Sequence, residues 1–350
     1  MRAVVLVGGE GTRLRPLTET IPKPLVPLMD RATLDHVLDH LARHGVHEVV
    51  LSSSYLEKTF RAFIDARRGD PAITWITETE PLDTGGAIVN ALGALETDEP
   101  FLALNGDILT DLDLTAMVEA HRERRADATI ALTHVQDARP FGLVPTKNDG
   151  RVIEFREKPQ EPISGSVNAG TYVLHPNALS AWEAAGRVNI EREIFPALIA
   201  QARPLYGFES DAYWIDLGTP EKYLQAHFDI LDGKVGFEPQ YNSPFIAEGA
   251  RADDAGIGPH VVVCAGAVVE REAVVEDAVV HADAVIEHGA TVRRSILGPR
   301  SRVGAGAVVN RSVLAEGAVV PAGVALDDAR VSAGQVAAST ERTGATGRMG

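Results

Sequence analysis

The chain has 350 residues, of which 45% are hydrophobic and 23% charged, a composition typical of a globular protein long enough for two domains. Its formal net charge of −16 repels nucleic-acid backbones and therefore disfavours a nucleic-acid partner. A single cysteine excludes an intrachain disulfide framework and a cysteine metal site, and no apolar run approaches membrane-spanning length, so we expect a cytoplasmic protein with no membrane partner.

A glycine-rich stretch follows the first predicted strand. The apolar run over residues 3–7 indicates a buried parallel strand, and Gly8, Gly9 and Gly11 come directly after it. Glycines at a strand end let the backbone turn sharply and present its N–H groups to an anion. Because the spacing matches neither a P-loop nor a dinucleotide fingerprint, these two nucleotide-binding motifs are excluded.

Two cations accompany the glycines. Arg13 and Lys23 carry fixed positive charge of the kind that a triphosphate requires, and such a pair is informative in so acidic a chain. The simpler interpretation is a glycine-rich turn with two surface cations. The additional matches Thr12-Arg13-Leu14 and Pro22-Lys23-Pro24-Leu25 disfavour that interpretation.

Helix and strand patterns then alternate along the chain. Apolar spacing predicts a helix over residues 33–44, a strand over 46–52, a helix over 55–67 and a strand over 73–76. This alternation predicts a Rossmann-like α/β domain with a mainly parallel sheet, in which ligands bind beyond the carboxyl ends of the strands.

Three histidines recur every four residues on the first of these helices. We expect His36, His40 and His44 to lie on the solvated face, because they stand away from the apolar stripe. A metal site is disfavoured, since no carboxylate or thiolate partner is evident beside them.

Two aspartates follow strands further along. Asp107 follows the carboxyl end of the predicted strand at 101–104. Asp216 stands between apolar residues, an awkward place for a charge without a partner. A hard divalent cation such as Mg²⁺, which takes carboxylates together with substrate phosphates, would resolve this. Asp111 and Asp113 are expected to be turn and helix-start residues.

The glycine-rich stretch as a whole resembles the signature of sugar-1-phosphate nucleotidyltransferases. Two later segments strengthen the resemblance: Glu157-Lys158-Pro159 followed by Asn168-Ala169-Gly170, and Trp214-Ile215-Asp216 followed by Gly218-Thr219-Pro220. The simpler interpretation of Glu157 and Lys158 is a surface salt bridge in a hairpin. The resemblance covers about residues 1–232, and residues 190–196 look like a structural helix of the family.

The resemblance implies a set of site residues. It assigns Mg²⁺ to Asp107 and Asp216, and catalytic roles to Arg13, Lys23, Asp107, Lys158 and Asp216. It assigns the sugar phosphate to Gly142, Glu157, Lys158 and Asn168. It assigns the nucleotide to Leu6, Gly8, Gly9, Gly11, Thr12, Arg13, Glu78, Pro81, Asp83, Thr84 and Gly85.

One of these positions departs from the family pattern. Asp83 stands where the family usually has glycine in the loop beside the base. If the loop requires positive φ there, aspartate is tolerated better than most residues. Alternatively, the carboxylate accepts hydrogen bonds from a guanine edge, which thymine and uracil cannot supply.

A different repeat occupies the C-terminal third. Aliphatic residues recur mostly every six positions from Ile257 to Leu326, with shorter steps after Val275 and Val309. This hexapeptide pattern predicts a left-handed parallel β-helix. We therefore expect a catalytic domain over 1–232, a linker over 233–250, the β-helix over 251–332 and a disordered tail over 333–350.

The expected reaction is nucleotidyl transfer from a nucleoside triphosphate to a sugar 1-phosphate, with release of pyrophosphate and with Mg²⁺ as cofactor. The chain looks most like the mannose-1-phosphate guanylyltransferases, which use GTP and make GDP-mannose, and we expect a homo-oligomer. Thymidylyl or adenylyl transfer to glucose 1-phosphate or a cyclitol phosphate is the alternative specificity. Two hypotheses of a different kind also stay open: a catalytically silent regulatory paralogue, and a bifunctional enzyme whose β-helix transfers acyl groups using His260, His281 or His288.

Overall fold

The computed structural model describes residues 1–53, 57–183, 185–236 and 241–338. An α/β domain precedes a stack of short parallel strands, which is the order that the sequence predicts. The predicted helix start at residues 55 and 56 and most of the predicted tail, residues 339–350, lie outside the described residues. Within them, no helix combines the length and the apolar character needed to cross a bilayer.

In the part of the chain that the structure describes, the N-terminal domain has thirteen strands and six α-helices. The strands are β1 (Arg2–Leu6), β2 (Pro27–Leu28), β3 (Arg31–Ala32), β4 (Glu48–Ser53), β5 (Ala72–Thr77), β6 (Phe101–Asn105), β7 (Ile108–Thr110), β8 (Ala128–Val135), β9 (Gly142–Leu143), β10 (Arg156–Glu157), β11 (Gly165–Leu174), β12 (Leu205–Glu209) and β13 (Trp214–Asp216). The α-helices are α1 (Thr33–Arg43), α2 (Glu57–Ala66), α3 (Asp83–Leu95), α4 (Leu114–Glu123), α5 (Phe195–Ala200) and α6 (Pro220–Leu231). Short 3₁₀ turns span Thr12–Leu14, Leu17–Glu19, Lys23–Leu25, Pro176–Ala178 and Ser180–Trp182, and one π-helical turn spans Ile190–Ile194.

The main sheet is built around β1. Strands β4 and β6 flank β1 in parallel, β5 continues beyond β4, and the antiparallel β11 joins β6 to the parallel pair β8–β12. The apolar runs of β1 and β6 are buried on both faces, as expected for central strands covered by helices. Since β1, β4 and β6 run in the same direction, their carboxyl ends meet at one edge, where the candidate site lies.

The expectation that the three histidines lie on a solvated face is wrong for His36 and His40, whereas His44 is partly exposed. His36 is fully buried and His40 is 4% exposed. Helix α1 is covered on a second side by the β2–β3 hairpin, and a ring nitrogen of His36 donates to the Leu28 carbonyl at 3.0 Å. Burial lowers the pKa of His40 to about 4, so the buried ring is neutral near pH 7.

The C-terminal domain has fifteen strands in three parallel sheets among the described residues. The first sheet contains β14 (Phe245–Ile246), β16 (Val262–Val263), β19 (Val279–Val280), β22 (Ile296–Leu297), β25 (Val313–Leu314) and β28 (Arg330–Val331). The second contains β15 (Gly256–Ile257), β18 (Val274–Glu276), β21 (Thr291–Arg293), β24 (Val308–Asn310) and β27 (Ala325–Asp327). The third contains β17 (Val268–Val269), β20 (Val285–Ile286), β23 (Arg302–Val303) and β26 (Val319–Val320).

These sheets are the three sides of a coil consistent with a left-handed β-helix. Val263 pairs with Val280, which pairs with Leu297, so successive coils are offset by seventeen residues rather than three full hexads. The short steps in the sequence repeat correspond to one corner, where Asp277, Arg294 and Arg311 have φ of 48°, 46° and 46°. Strand β14 already pairs with β16, so parallel coiling begins before residue 251.

The two domains share buried apolar clusters. Leu14, Leu17 and Val26 from the segment around the glycine loop pack with Ile296 and Val313 of the β-helix. A second cluster joins the β2–β3 hairpin and α6 to the first β-helix sheet through Leu28, Met29, Leu109, Leu217, Ala226, Ile230, Leu231, Val235, Val262, Cys264 and Val279. The β-helix therefore forms part of the packing beneath the N-terminal segment.

Candidate active site

The glycine loop turns sharply at the carboxyl end of β1. Gly9 has φ of 101° and Gly11 has φ of 59°, conformations that L-residues rarely adopt. A Cβ atom on Gly11 would come within 3.0 Å of Thr18 Cγ2 and 3.1 Å of Lys23 Cβ. Glycine is thus required at position 11 for both backbone conformation and close packing against Lys23.

Lys23 lies between the two predicted metal ligands. Its ammonium contacts Asp107 Oδ2 directly and lies 3.7 Å from Asp216 Oδ1. The Lys23 side chain is 11% exposed, and the carboxylates are 30% and 16% exposed, so this charge cluster is largely shielded from solvent. Such shielding strengthens the attraction between the three charges.

Strand pairing brings the two aspartates together across more than one hundred residues of sequence. Asp107 lies in the turn between β6 and β7, where the Gly106 N–H donates to the Leu6 carbonyl at 2.9 Å. Strand β13 pairs antiparallel with β7 and places Asp216 opposite Ile108, the residue after Asp107. As expected, Asp113 caps α4 by accepting from the Ala116 N–H at 2.9 Å.

Two adjacent cavities open onto these charges. The first, of about 200 Å³, is lined by the glycine loop and neighbouring charged groups, namely Gly8, Gly9, Gly11, Thr12, Arg13, Lys23, Asp107 and Gly218. The second, of about 190 Å³, includes Arg13, Asp107, Gly142, Glu157, Lys158, Asn168, Glu191, Trp214 and Asp216 among its lining residues. Arg13 and Asp107 line both cavities, so they stand at the junction between the two.

The second cavity owes its shape to a short hairpin. Strands β9 and β10 pair antiparallel, with Gly142 opposite Glu157 and Leu143 opposite Arg156. A Cβ on Gly142 would lie 2.6 Å from the Phe155 ring, which explains the glycine. Lys158 Nζ is 3.4 Å from Glu157 Oε1, as the salt-bridge interpretation expects, yet both residues also line the cavity.

A hydrogen-bond chain joins Asn168 and Glu191, two residues that line the second cavity. The amide of Asn168 donates to the Tyr172 hydroxyl at 2.8 Å, and that hydroxyl donates to Glu191 Oε1 at 3.1 Å. The Thr84 hydroxyl donates to Glu191 Oε2 at 2.9 Å. Burial raises the pKa of Glu191 above its usual value, although these hydrogen bonds oppose the shift.

Asn168 is aimed by a local irregularity in β11. The register between β11 and β8 shifts between Asn168 and Tyr172, and Gly170 within this bulge has φ of 70°. The Gly170 N–H donates to Asn168 Oδ1 at 2.9 Å. A bulge of this kind redirects a side chain, here toward the cavity.

The predicted base loop is held together mainly by internal contacts. Both carboxylate oxygens of Glu78 accept hydrogen bonds, from the Ser52 hydroxyl at 2.9 Å and the Leu82 N–H at 3.2 Å. Gly85 is buried, and a Cβ there would lie 3.0 Å from the Val188 carbonyl, so close packing explains this glycine. The two cavities described above are not lined by Leu6, Glu78, Pro81, Asp83, Thr84 or Gly85.

Asp83 has the positive φ that the family's glycine suggests, at 62°. Its Oδ1 accepts from the Thr84 N–H at 2.7 Å and from the Asn189 amide at 2.9 Å, and its Oδ2 lies 4.0 Å from Arg187 Nε. These contacts tie the start of α3 to the segment before the π-helical turn. Recognition of a guanine edge by Asp83 stays a prediction.

Two polar side chains of the site are not predicted from the sequence. Glu191 falls in the segment expected to be a structural helix, and Lys222, which lies 3.2 Å from Asp216 Oδ2, has no predicted role. Lys222 Nζ also stands 4.9 Å from the centroid of the Phe141 ring. The preceding Gly218-Thr219-Pro220 match is the available signal for Lys222, because Thr219 and Pro220 start α6 and place Lys222 on its first turn.

The donor set suits a divalent cation only in combination with a substrate. Among the described residues, no group of three or more His, Cys, Asp or Glu side chains forms a ready metal cage. Asp107 and Asp216 nevertheless converge on one positive group, the Lys23 ammonium. Two carboxylates completed by phosphate oxygens are a typical set for a hard cation.

Comparisons with known proteins agree with this arrangement. The Nucleotidyl transferase family profile matches residues 2–233, and the GMPPB C-terminal domain profile matches residues 243–343. The chain is 39% identical over 275 residues to a mannose-1-phosphate guanylyltransferase of Mycobacterium tuberculosis, covering 78% of this chain and 76% of the relative. It is 35% identical over 284 residues to mannose-1-phosphate guanylyltransferase 1 of Arabidopsis thaliana, covering 77% of this chain and 78% of the relative.

A solved structure is also similar to part of the chain. The crystal structure of HddC from Yersinia pseudotuberculosis superposes with a TM-score of 0.58 at 30% sequence identity, covering 64% of this chain and 97% of that one. Nucleotidyltransferases of this kind generally use a divalent metal. The chain therefore belongs to the nucleotidyl transferase family, and it is an enzyme that transfers a nucleotidyl group to a sugar phosphate.

Proposed function

We propose that this enzyme transfers GMP from GTP to mannose 1-phosphate, giving GDP-mannose and pyrophosphate. The observation that carries the proposal is the pair of adjacent cavities with Arg13 and Asp107 at their junction. A reaction between two phosphate-bearing substrates needs two such compartments with the charged groups where the phosphates meet.

The first cavity suits the triphosphate. Its glycine loop supplies backbone N–H groups, and Arg13 and Lys23 supply positive charge against the phosphates. No ion pair is formed by Arg13 among the residues that the structure describes, so its guanidinium is available to a ligand. A Cβ on Gly218 would lie 2.9 Å from Arg13 Nη2, so glycine there leaves room for this side chain.

The second cavity suits a sugar phosphate. Lys158 is exposed and lies on its rim, where it would neutralise the 1-phosphate, while Glu157 and Asn168 would hydrogen-bond sugar hydroxyls. We add Glu191 to this group, because its carboxylate lines the same cavity and is fixed by Tyr172 and Thr84. Two oriented carboxylates can discriminate between sugars that differ in one hydroxyl, since a missing partner leaves a buried polar group unpaired.

The chemistry requires positioning and charge stabilisation rather than a covalent nucleophile. A phosphate oxygen of the sugar 1-phosphate attacks the α-phosphorus, the new P–O bond forms, and the bond to the β-phosphate breaks so that pyrophosphate leaves with the electron pair. Lys23 and Arg13 stabilise negative charge that builds up at the junction of the cavities. Asp107 and Asp216 would hold Mg²⁺, which when bound supplies further neutralisation of the phosphates.

The choice of GTP and mannose 1-phosphate is supported by the relatives. Both guanylyltransferases named above span three quarters or more of this chain, including part of the β-helix. The C-terminal profile match points the same way. Neither relative named above is a thymidylyl- or adenylyltransferase. A silent regulatory paralogue is disfavoured because the complete set Arg13, Lys23, Asp107, Lys158 and Asp216 is present.

The test is a pyrophosphate-release assay with Mg²⁺ that crosses GTP, dTTP, UTP, ATP and CTP against mannose, glucose and glucosamine 1-phosphates. We expect turnover confined to GTP with mannose 1-phosphate, and product analysis should show GDP-mannose. Turnover with another pair would overturn the specificity and keep the mechanism. A folded protein without turnover on any pair would overturn the proposed function.

A further inference from the structure

Four consecutive carbonyls just after Lys23 accept hydrogen bonds from fixed groups. The Val26 carbonyl accepts from Thr33 Oγ1 at 2.8 Å, and the Leu28 carbonyl accepts from His36 Nε2 at 3.0 Å. The Pro27 carbonyl accepts from the Tyr223 hydroxyl. The Met29 carbonyl accepts from Cys264 Sγ at 3.1 Å.

Two of these donors come from outside the segment's own neighbourhood in sequence. Tyr223 lies on α6, and Cys264 lies on the β-helix directly after β16. Tyr223 is fully buried, Cys264 is 3% exposed, and Leu28 and Met29 are fully buried. A carbonyl buried here without a donor would lose its hydrogen bond to water with no replacement, so the hairpin can only dock where these donors are.

The β-helix also fixes the Tyr223 hydroxyl. Since a carbonyl can only accept, Tyr223 donates its proton to Pro27 and must accept from His281 Nε2, which lies 3.0 Å away. His281 therefore carries its proton on Nε2. Burial lowers the pKa of His281 to about 4, which is consistent with this neutral form near pH 7.

Cys264 and His281 occupy equivalent places on successive coils. They are seventeen residues apart, the Cys264 N–H donates to the Val280 carbonyl at 2.8 Å, and the His281 N–H donates to the Leu297 carbonyl at 2.9 Å. The parallel ladder thus holds both side chains against the catalytic domain. His281 is 1% exposed, so it is not the polar corner residue that an acyl-transfer role would use.

The four hydrogen-bonded carbonyls, of residues 26–29, lie close in sequence to Lys23. The Val26 N–H donates to the Lys23 carbonyl at 3.2 Å, closing the 3₁₀ turn that carries Lys23. The Lys23 ammonium then lies between Asp107 and Asp216. A shift of the hairpin would therefore move Lys23 relative to both carboxylates.

We propose that Tyr223, His281 and Cys264 are positioning residues for Lys23. Cys264 of the β-helix holds the hairpin after Lys23 directly, and His281 of the β-helix holds it indirectly by orienting the Tyr223 hydroxyl. The β-helix thereby sets the location of the Lys23 ammonium. This inference rests on the role proposed above for Lys23. It makes the β-helix a structural component of the active site as well as a separate domain.

The test compares Tyr223→Phe and Cys264→Ala with wild type, using kcat and KM for the most active substrate pair. We expect each variant to lower kcat about tenfold with a smaller change in KM, because sub-ångström misplacement of a catalytic group acts on the transition state. Cys264→Ser, which keeps a donor, should recover most of the loss. The control is Val309→Ala, which creates a cavity in the β-helix core away from the hairpin.

A double-mutant cycle with Lys23→Met separates positioning from general destabilisation. With enough enzyme to measure residual turnover, Tyr223→Phe should have no further effect in the Lys23→Met background. Equal effects in both backgrounds, or a kcat loss in Val309→Ala as large as in Tyr223→Phe, would overturn the inference. If Lys23→Met retains full turnover, the proposed role of Lys23 is wrong. If Lys23→Met loses turnover but Tyr223→Phe retains full turnover, only the positioning inference is wrong.

Discussion

Lys23 offers the sharpest test of the proposed site, because its removal affects stability and turnover in different ways. In Lys23→Met, the carboxylates of Asp107 and Asp216 lose the ammonium that lies between them. Breaking a fully buried ion pair costs about 3–5 kcal/mol. Lys222 remains 3.2 Å from Asp216 and Asp107 is 30% exposed, so we expect a smaller loss of unfolding free energy, about 1–3 kcal/mol.

Turnover should fall further than stability. Removing one group that stabilises developing negative charge costs about 3–4 kcal/mol, which is about 10²–10³-fold in kcat. The two carboxylates freed from Lys23 should also bind a divalent cation more readily, so Mg²⁺ should raise the melting temperature of Lys23→Met more than that of wild type. The assays are pyrophosphate release and thermal unfolding with and without Mg²⁺.

The matched control is Lys234→Met. Lys234 also pairs with two carboxylates, at 2.7 Å from Asp229 and 3.0 Å from Asp232, but it lies away from the two cavities. Its turnover should stay within about twofold of wild type, because Lys234 lines neither cavity, and its half-exposed ammonium leaves Asp229 with the Tyr213 hydroxyl and the Gln225 amide as donors. The reasoning is refuted if Lys23→Met keeps kcat within threefold of wild type, or if Lys234→Met loses as much.

The same contacts lead to three further predictions. Gly11→Ala, at φ of 59° and 3.0 Å from Thr18 Cγ2, should cost about 1–2 kcal/mol of stability and weaken triphosphate binding measured by calorimetry; unchanged affinity would contradict the loop assignment. Asp83→Gly should lower stability by about 1 kcal/mol and keep turnover confined to GTP, at a rate within threefold of wild type, because Asp83 Oδ1 is already hydrogen-bonded within the protein. A gain of turnover with dTTP in this variant would show that Asp83 reads the base. Buried histidines should make unfolding easier in acid, because pKa values of about 4 or below in the folded chain mean that the unfolded chain takes up protons first as pH falls through 6.5. The residues concerned are His40, His121, His227 and His281. The unfolding free energy measured with urea should be lower at pH 5.5 than at pH 7.0 by about 1 kcal/mol per histidine. An equal or larger unfolding free energy at pH 5.5 would contradict this prediction.

Much of the architecture can be predicted from short stretches of the sequence. Apolar runs bounded by glycine and the hexad spacing depend on which residues fit a buried strand or the side of a coil, and such preferences are local. Arg13, Lys23 and Asp107 are predictable because each follows a strand or loop at the edge where a parallel sheet places its ligands. The structure brings these three side chains to one place.

Other features depend on which elements pack together. The apolar stripe of α1 correctly predicts a helix, yet His36 beside that stripe is buried because the β2–β3 hairpin covers a second side of the helix. Periodicity reports one buried face and carries no information about a second neighbour. For the same reason Glu191 looks structural in the sequence, since only the fold brings it beside Asn168 and Tyr172.

Long-range pairing decided the remaining parts of the site. Asp216 meets Asp107 because β13 pairs with β7, a register that no local pattern specifies. The positions of Cys264 and His281 in the hexad repeat fit the core or a corner of a β-helix. The repeat does not indicate which residue either side chain contacts. Their contact with the hairpin after Lys23 arises only when the two domains bury a common apolar surface, because burial of that surface forces the enclosed carbonyls to find donors across it.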